Sequence, residues 1–373
     1  MTQEIFNSSM TGKRSLPPGY FDLSMRRYLG CKTRLLNEIE QVVQENCPNI
    51  STFMDIFAGT GVVADRFNSS ERKIIVNDFL ISNATVLEAW FLAQESDREE
   101  IESTVAYLRS LKPRKGTYYG RNYGDRFFTM ETADLIGTIR DAIDELNLRP
   151  VVKSAAIASL LYAADASALT CGHFDAWRGL KDRARPFELR IPAIPYGSNG
   201  NNEVYCCDGN ELARKVEVEL LYIDPPYNRR QYSTLYHVHE TITRNDKPRL
   251  IGKTRKPPLK NRPKSKYSSA EASEAFKDLV LNCRARYLLV SYNNMRRGGS
   301  NSNAIMDRKT IEEILSLRGR VRTYCFDFPS FTARRGLLPG HQEYLFFCRV
   351  TKKPSTATCS VSLKAGQFRK IGP

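Results

Sequence analysis

Residues 53–61 read Phe53-Met54-Asp55-Ile56-Phe57-Ala58-Gly59-Thr60-Gly61, an apolar run closing on two glycines. The run predicts a strand, a tight turn and the start of a helix. Gly59 and Gly61 permit torsions and close backbone approach that a side chain forbids, so a ligand can lie against the first turn of that helix. A plain strand-to-helix turn explains the glycines alone equally well. No Gly-Lys-Ser/Thr follows, which excludes a Walker phosphate loop.

Working outward, similar runs recur at Lys73–Asn77, Val204–Cys207, Leu220–Ile223, Tyr287–Ser291, Val321–Phe328 and Tyr344–Val350. Several are continuously apolar, as strands covered on both faces are. With Phe53–Phe57 they predict an α/β fold: a doubly wound, mostly parallel seven-stranded sheet. The last two runs are separated only by a loop and are expected to pair antiparallel at one edge. Residues 81–190 break the alternation. They carry helical periodicity (Leu135, Ile139, Ile143, Leu146) and an Ala-rich segment at 155–168, and read as a helical insertion. Residues 1–22 read as a flexible arm and 351–373 as a disordered basic tail. The main α/β domain is therefore expected over 23–80 and 191–350.

The chain has 373 residues, 41% of them hydrophobic and 10% aromatic, enough to bury a sizeable core. No apolar run approaches a membrane span, and the first 20 residues lack the apolar stretch of a signal peptide, so a cytoplasmic protein is expected. Nine cysteines fall in no disulfide or zinc spacing and only four histidines occur, so no metal site is expected. The net charge of +15 points to a polyanionic partner. From Arg244 to Lys266 there are ten Lys/Arg against one acid, Asp246, with four prolines. This stretch reads as an exposed loop whose Lys253, Arg255, Lys256, Lys260, Arg262, Lys264 and Lys266 meet nucleic-acid phosphates; a solvated linker is the bland alternative.

Three acids stand in or just after successive strands: Asp55, Asp78 and Asp208. Asp78, a short helix beyond Gly61, is placed to accept both ribose hydroxyls of an adenosine. Asp208 is placed to accept from the exocyclic amine of the same ligand. Either alone is more often a helix N-cap.

The strand Leu220–Ile223 runs directly into Asp224-Pro225-Pro226-Tyr227, at the edge of an open sheet where ligands bind. An exocyclic adenine amine is a poor nucleophile because its lone pair is delocalised into the ring. The Asp224 carboxylate and the Pro225 carbonyl, accepting its two N–H bonds, localise that pair toward an incoming methyl. Pro225 and Pro226 fix their own φ and restrict the residues before them, so the acceptors are set in advance. Tyr227 offers a face for a flipped-out base.

These elements together resemble the D12-class adenine-specific DNA methyltransferases, most closely their restriction–modification branch. The resemblance rests on Arg27-Tyr28-Leu29-Gly30-Cys31-Lys32, Asp55–Gly61 and the run from Tyr222 to Tyr232, in that order. His237, Glu240-Thr241-Ile242, Gly252-Lys253-Thr254 and Ser291-Tyr292-Asn293 add to it. It covers roughly residues 25–350, loosely in the helical insertion. It implies an S-adenosylmethionine-dependent enzyme acting on double-stranded DNA, paired with a restriction endonuclease. It implies a cofactor set of Tyr28, Lys32, Asp55, Phe57, Gly59, Gly61, Asp78 and Asp208, with Tyr28 and Lys32 bordering the target adenine as well. The branch usually has Asn at Leu235 and often Glu at Asn294. An RNA adenine methyltransferase, and a nucleic-acid binding protein of this fold without catalysis, also fit the residues. Base-specific contacts are expected in 81–190, with Tyr118–Phe128 as the candidate because aromatics and Arg interleave there; an aromatic loop packed on the core fits the same residues equally well.

Overall fold

The computed structural model describes residues 16–177, 179, 185–227, 229–294, 305–327, 342–354 and 370–371. Ten strands occur among them: β1 (Tyr20–Phe21), β2 (Thr52–Asp55), β3 (Lys73–Asn77), β4 (Ile191–Pro192), β5 (Glu203–Tyr205), β6 (Glu217–Ile223), β7 (Arg284–Asn293), β8 (Gly319–Asp327), β9 (Gln342–Val350) and β10 (Lys370–Ile371). Eight form one sheet in the order β10-β5-β3-β2-β6-β7-β9-β8. The central five, β5-β3-β2-β6-β7, are mutually parallel. The chain builds outward from β2 through β3 to β5, then returns to lay β6 and β7 on the other side. The carboxyl ends of β2 and β6 therefore flank the point where the winding reverses, the place such sheets bind ligands.

The seven expected strands are present, and β9 pairs antiparallel with both β7 and β8. The count of seven is corrected to eight by β10, which adds antiparallel to β5. Ile371 is buried there and the Lys370 ammonium donates to Glu203 at 2.9 Å. Two residues in a polar tail give too short a pattern to read as a strand. The expected tail is thus tied down at 370–371, while 355–369 lie outside the described residues. At the other end, 1–15 also lie outside them. Tyr20 and Phe21, assigned to the flexible arm, pair instead with Ile191 and Pro192.

Alternate residues of the central strands feed two cores. Phe53, Leu220, Tyr222 and Leu289 join one; Met54, Leu221, Ile223, Leu288 and Val290 join the other. Helices Gly209–Lys215, Ala272–Asn282 and Arg308–Ser316 supply the second layer. The first is supplied by the long helices of the expected insertion, Ile81–Leu92, Arg98–Ser110, Met130–Glu145 and Pro150–Ser167. Pro150–Ser167 starts on a proline at N1, which costs no helical hydrogen bond. It buries nearly every side chain, Ala155 to Ala164 among them, and its Ser154 hydroxyl donates to Glu88 at 2.9 Å.

The aromatic candidate for base contact is corrected here. Tyr119, Tyr123, Phe127 and Phe128 are at most 1% exposed. Tyr123 and Phe127 pack edge-on against His237, and the Tyr119 hydroxyl donates to the Thr241 carbonyl at 3.1 Å. These rings are core. Their interleaving with Arg121 and Arg126 marks the helix face that packs inward. Among the described residues, no helix is long and apolar enough to cross a membrane.

Candidate active site

A cleft opens at the carboxyl ends of β2 and β6, lined by residues of both strand ends and of the segment from Tyr28 to Lys32. The turn after β2 forms one wall. The Ala58 amide donates to the Asn77 carbonyl, while Asn77 Nδ2 donates to the carbonyls of Ile56 and Cys207, tying three strand ends together. Gly59 takes φ +54°, and its amide donates to Asp78 Oδ2 at 2.9 Å. Asp78 Oδ1 accepts from the Leu80 amide at 2.8 Å. Burial pushes the Asp78 carboxyl up to about 6, although these amides and Asn83 favour its charged form. Asp78 thus lines the cleft as expected and also fixes the glycine turn.

Asp55 is 2% exposed and lines the same cleft. Burial, reinforced by the charges of Asp224 and Asp78, raises its pKa well above the carboxylate range. Its Oδ1 has no hydrogen-bond partner among the described residues. Phe57 and Gly59 line the wall beside it.

Two expected cofactor residues, Gly61 and Asp208, make structural contacts. Gly61 faces the core: a Cβ there would lie 2.7 Å from Leu87 and 3.2 Å from Leu23, and φ is +84°. Glycine is needed for the left-handed turn and the close approach of helix Ile81–Leu92. Asp208 is not among the cleft-lining residues; its Oδ1 caps helix Gly209–Lys215, accepting from Asn210 and Glu211 amides at 2.9 and 3.2 Å.

The opposite wall is the segment from Tyr28 to Lys32. The Tyr28 ring stacks on Tyr236 at 4.6 Å and its hydroxyl accepts from Asn83 at 3.0 Å. Arg26, buried beneath, donates to Asn83 and lies against both rings. Gly30 takes φ +83°, and a Cβ there would meet the Tyr227 hydroxyl at 2.7 Å. This glycine lets the segment close over Asp224–Tyr227.

Asp224 lies at the carboxyl end of β6, and Lys32 sits on it. The ammonium is 2.9 Å from Asp224 Oδ1 and 2.8 Å from Oδ2, and donates to the Gly30 carbonyl at 3.2 Å. Burial pushes the Asp224 carboxyl up to about 6, with Lys32 opposing that rise. For Lys32, burial favours loss of the proton, but Asp224 and Glu343 outweigh it and hold the pKa well above the usual lysine value. A buried pair of this geometry keeps both partners charged at neutral pH. Pro225, Pro226 and Tyr227 line the cleft. Tyr227, expected to offer a stacking face, is 6% exposed under Gly30; its ring meets Tyr292 edge-on and lies 5.5 Å from the Lys32 ammonium.

The basic stretch folds back toward the site instead of standing free. Gln231 donates to the Ser265 carbonyl and accepts from the Ser265 amide, at 3.0 and 2.8 Å, and Ser265 lines the cleft. Lys256 pairs with Asp175 and Arg262 donates to Thr234 at 2.7 Å, so both are held within the fold. Arg255 is partly buried. Lys253, Lys260, Lys264 and Lys266 are exposed.

Sequence reasoning gave no role to Asn77, Gln231 or Gly30 as builders of the site. Gly30 and Gln231 stood inside the motifs that carry the resemblance and Asn77 beside Asp78, but the contacts they make run to distant segments.

A family profile described as D12 class N6 adenine-specific DNA methyltransferase matches residues 28–298. The chain is 33% identical over 294 residues to modification methylase LlaI of Lactococcus lactis subsp. lactis, covering 72% of this chain and 46% of that protein. It is 29% identical over 318 residues to M.FokI of Planomicrobium okeanokoites, a type II methyltransferase, covering 80% and 48%. It is 30% identical over 282 residues to M.NlaIII of Neisseria lactamica, also a type II methyltransferase, covering 72% and 83%. The chain therefore spans about half the length of the first two relatives and most of the third. On this match, and on the order in which the glycine turn and Asp224–Tyr227 line one cleft, the chain belongs to the D12 class of N6 adenine-specific DNA methyltransferases.

Proposed function

We propose that this protein transfers a methyl group to the N6 amine of a flipped-out adenine in a specific duplex DNA sequence, as the modification enzyme beside a restriction endonuclease. One observation carries the reading: a single cleft joins an acid-and-glycine wall at Asp55, Gly59 and Asp78 to the buried Asp224–Lys32 pair. The residues fit S-adenosylmethionine. Asp55 Oδ1 is a buried acceptor with no donor among the described residues, suited to an ammonium or hydroxyl of the cofactor, and a buried acceptor so placed costs free energy until it is filled. Tyr28, Phe57, Gly59 and Asp78 border the same space. When bound, the cofactor supplies an electrophilic methyl on a sulfonium.

Asp224 and the Pro225 carbonyl accept the two N–H bonds of the target amine. Lys32 contacts both Asp224 oxygens, so the arriving amine shares those acceptors with the ammonium. Lys32 keeps Asp224 ionised in a buried site, and only the ionised form accepts on both oxygens. Gly30 and Tyr227 cover the pair and exclude water, which strengthens these hydrogen bonds. Exposed Lys253, Lys260, Lys264 and Lys266 hold phosphates, and the Gln231–Ser265 bonds anchor their loop beside the cleft. Residues 81–190 supply sequence reading from surfaces other than the buried 118–128 rings.

The test is methylation-sensitive sequencing of DNA from cells expressing the protein. N6-methyladenine in one sequence context is the expected result. A modified cytosine, or unmodified DNA beside methylated RNA, overturns the reading.

A further inference from the structure

Glu343 is a buried acid that the chemistry above does not use. It is the second residue of β9, and because β9 runs antiparallel to β7 this residue falls at the cleft end of the sheet, opposite Asn293. It is 5% exposed. Its Oε1 accepts from Asn293 Nδ2 at 3.1 Å, and its Oε2 has no partner among the described residues. A buried carboxylate served by one neutral amide is costly, and retaining it calls for a compensating role. Asn293 also bonds the Tyr227 hydroxyl, and the Tyr227 ring lies 5.5 Å from the Lys32 ammonium. The charge of Glu343 supports the raised pKa of Lys32 and of Asp224.

Resting on the methyl-transfer reading, we propose that Glu343 is a positioning residue for the Lys32–Asp224 pair: a second counter-charge that holds the Lys32 ammonium in the site while Asp224 turns its oxygens to the target amine. Lys32 makes both its carboxylate contacts to Asp224 in the unliganded protein. An arriving amine competes for the same oxygens. The negative charge of Glu343 offsets part of Lys32's loss as that competition proceeds, and the Asn293–Tyr227 bonds hold the intervening ring in place. Without it, Lys32 stays locked on Asp224.

The charged and titratable groups facing Asp224 are Lys32, Glu343, Asp55, Tyr222, Tyr227, Tyr232 and Tyr292. Glu343→Gln preserves the volume and the acceptor for Asn293 and removes only the charge. The carboxyl carbon of Asp224 is titrated by NMR in the unliganded protein, and kcat and both KM values are measured on duplex DNA. Glu343→Gln should lower the Asp224 midpoint, because the charge it removes is one that raises that midpoint. It should lower kcat on the order of tenfold with the cofactor KM unchanged, the mark of an interaction made on the way to the transition state. Glu343→Asp, which keeps the charge, should restore both and replaces Gln as the comparison if the Gln variant loses its cooperative melt. A wild-type midpoint and kcat in Glu343→Gln overturns the inference, as does equal impairment in Gln and Asp variants of wild-type melting behaviour. If the wild-type protein methylates no DNA, the proposed function falls, while the Asp224 titration still decides the role of Glu343.

Discussion

Replacing Lys32 by Met keeps the apolar stem and removes the ammonium from a pair whose side chains are 5% and 16% exposed. Removing one partner of a buried pair costs about 3–5 kcal/mol when the other stays charged. Asp224 need not stay charged, however, because it can take up a proton. Its midpoint in the intact protein is about 6, already above the ordinary 3.8. Folded protein thus binds more protons than unfolded protein between these values, and stability falls as pH rises through that window. In Lys32→Met the midpoint moves higher still, so the fall continues past 6. The deficit relative to wild type is therefore near zero below about pH 6 and widens by about 1.4 kcal/mol per unit above it. At pH 7.5 it is capped near 2 kcal/mol, because protonating Asp224 then costs about 1.5 units' worth. Urea unfolding of both proteins at half-unit steps from pH 5 to 9 measures this. Methyl transfer should fall at pH 7.5, since a protonated Asp224 loses an acceptor, and recover partly at higher pH. A deficit of constant size across the series would show that Lys32 acts through packing and refute the charge argument.

Asp224→Ala should reduce methyl transfer by roughly 10²-fold or more, as loss of a preorganised acceptor does, with a smaller effect on cofactor Kd measured by calorimetry. Gly61→Ala should destabilise the fold by about 1–3 kcal/mol in thermal melts, through a left-handed φ and the Leu87 clash, with cofactor Kd unchanged per folded molecule; a large rise in Kd would put Gly61 in the cofactor site. Exchanging Lys253, Lys260, Lys264 and Lys266 together for Gln should flatten the slope of log K against log salt by about 0.9 for each duplex phosphate left without its lysine. The preferred sequence should persist, because phosphate contacts position the polymer and do not read it. An unchanged slope would make the loop a brace for the cleft alone.

Several features were legible from the sequence because local pattern carries them. Apolar runs of strand length marked the parallel strands, since burial on both faces leaves no polar alternation. Phe53–Gly61 announced its turn, and Asp224–Tyr227 announced its place at a strand end, because glycine turns and the end of an apolar run are local properties. What the tertiary structure alone decided depends on partners far apart in the chain. Lys32 and Asp224 are separated by 192 residues, and no spacing rule announces that pair. Gly61 and Asp208 each carry a structural contact that the sequence signature of a glycine turn or a strand-end acid does not reveal: Gly61 is packed against Leu87, and Asp208 accepts from the amides of Asn210 and Glu211. Tyr118–Phe128 looked like a recognition surface until His237 and Thr241, more than a hundred residues on, were seen to cover it. Glu343 reached the cleft because β9 runs antiparallel, and strand direction is fixed by neighbours, which no stretch of sequence contains by itself.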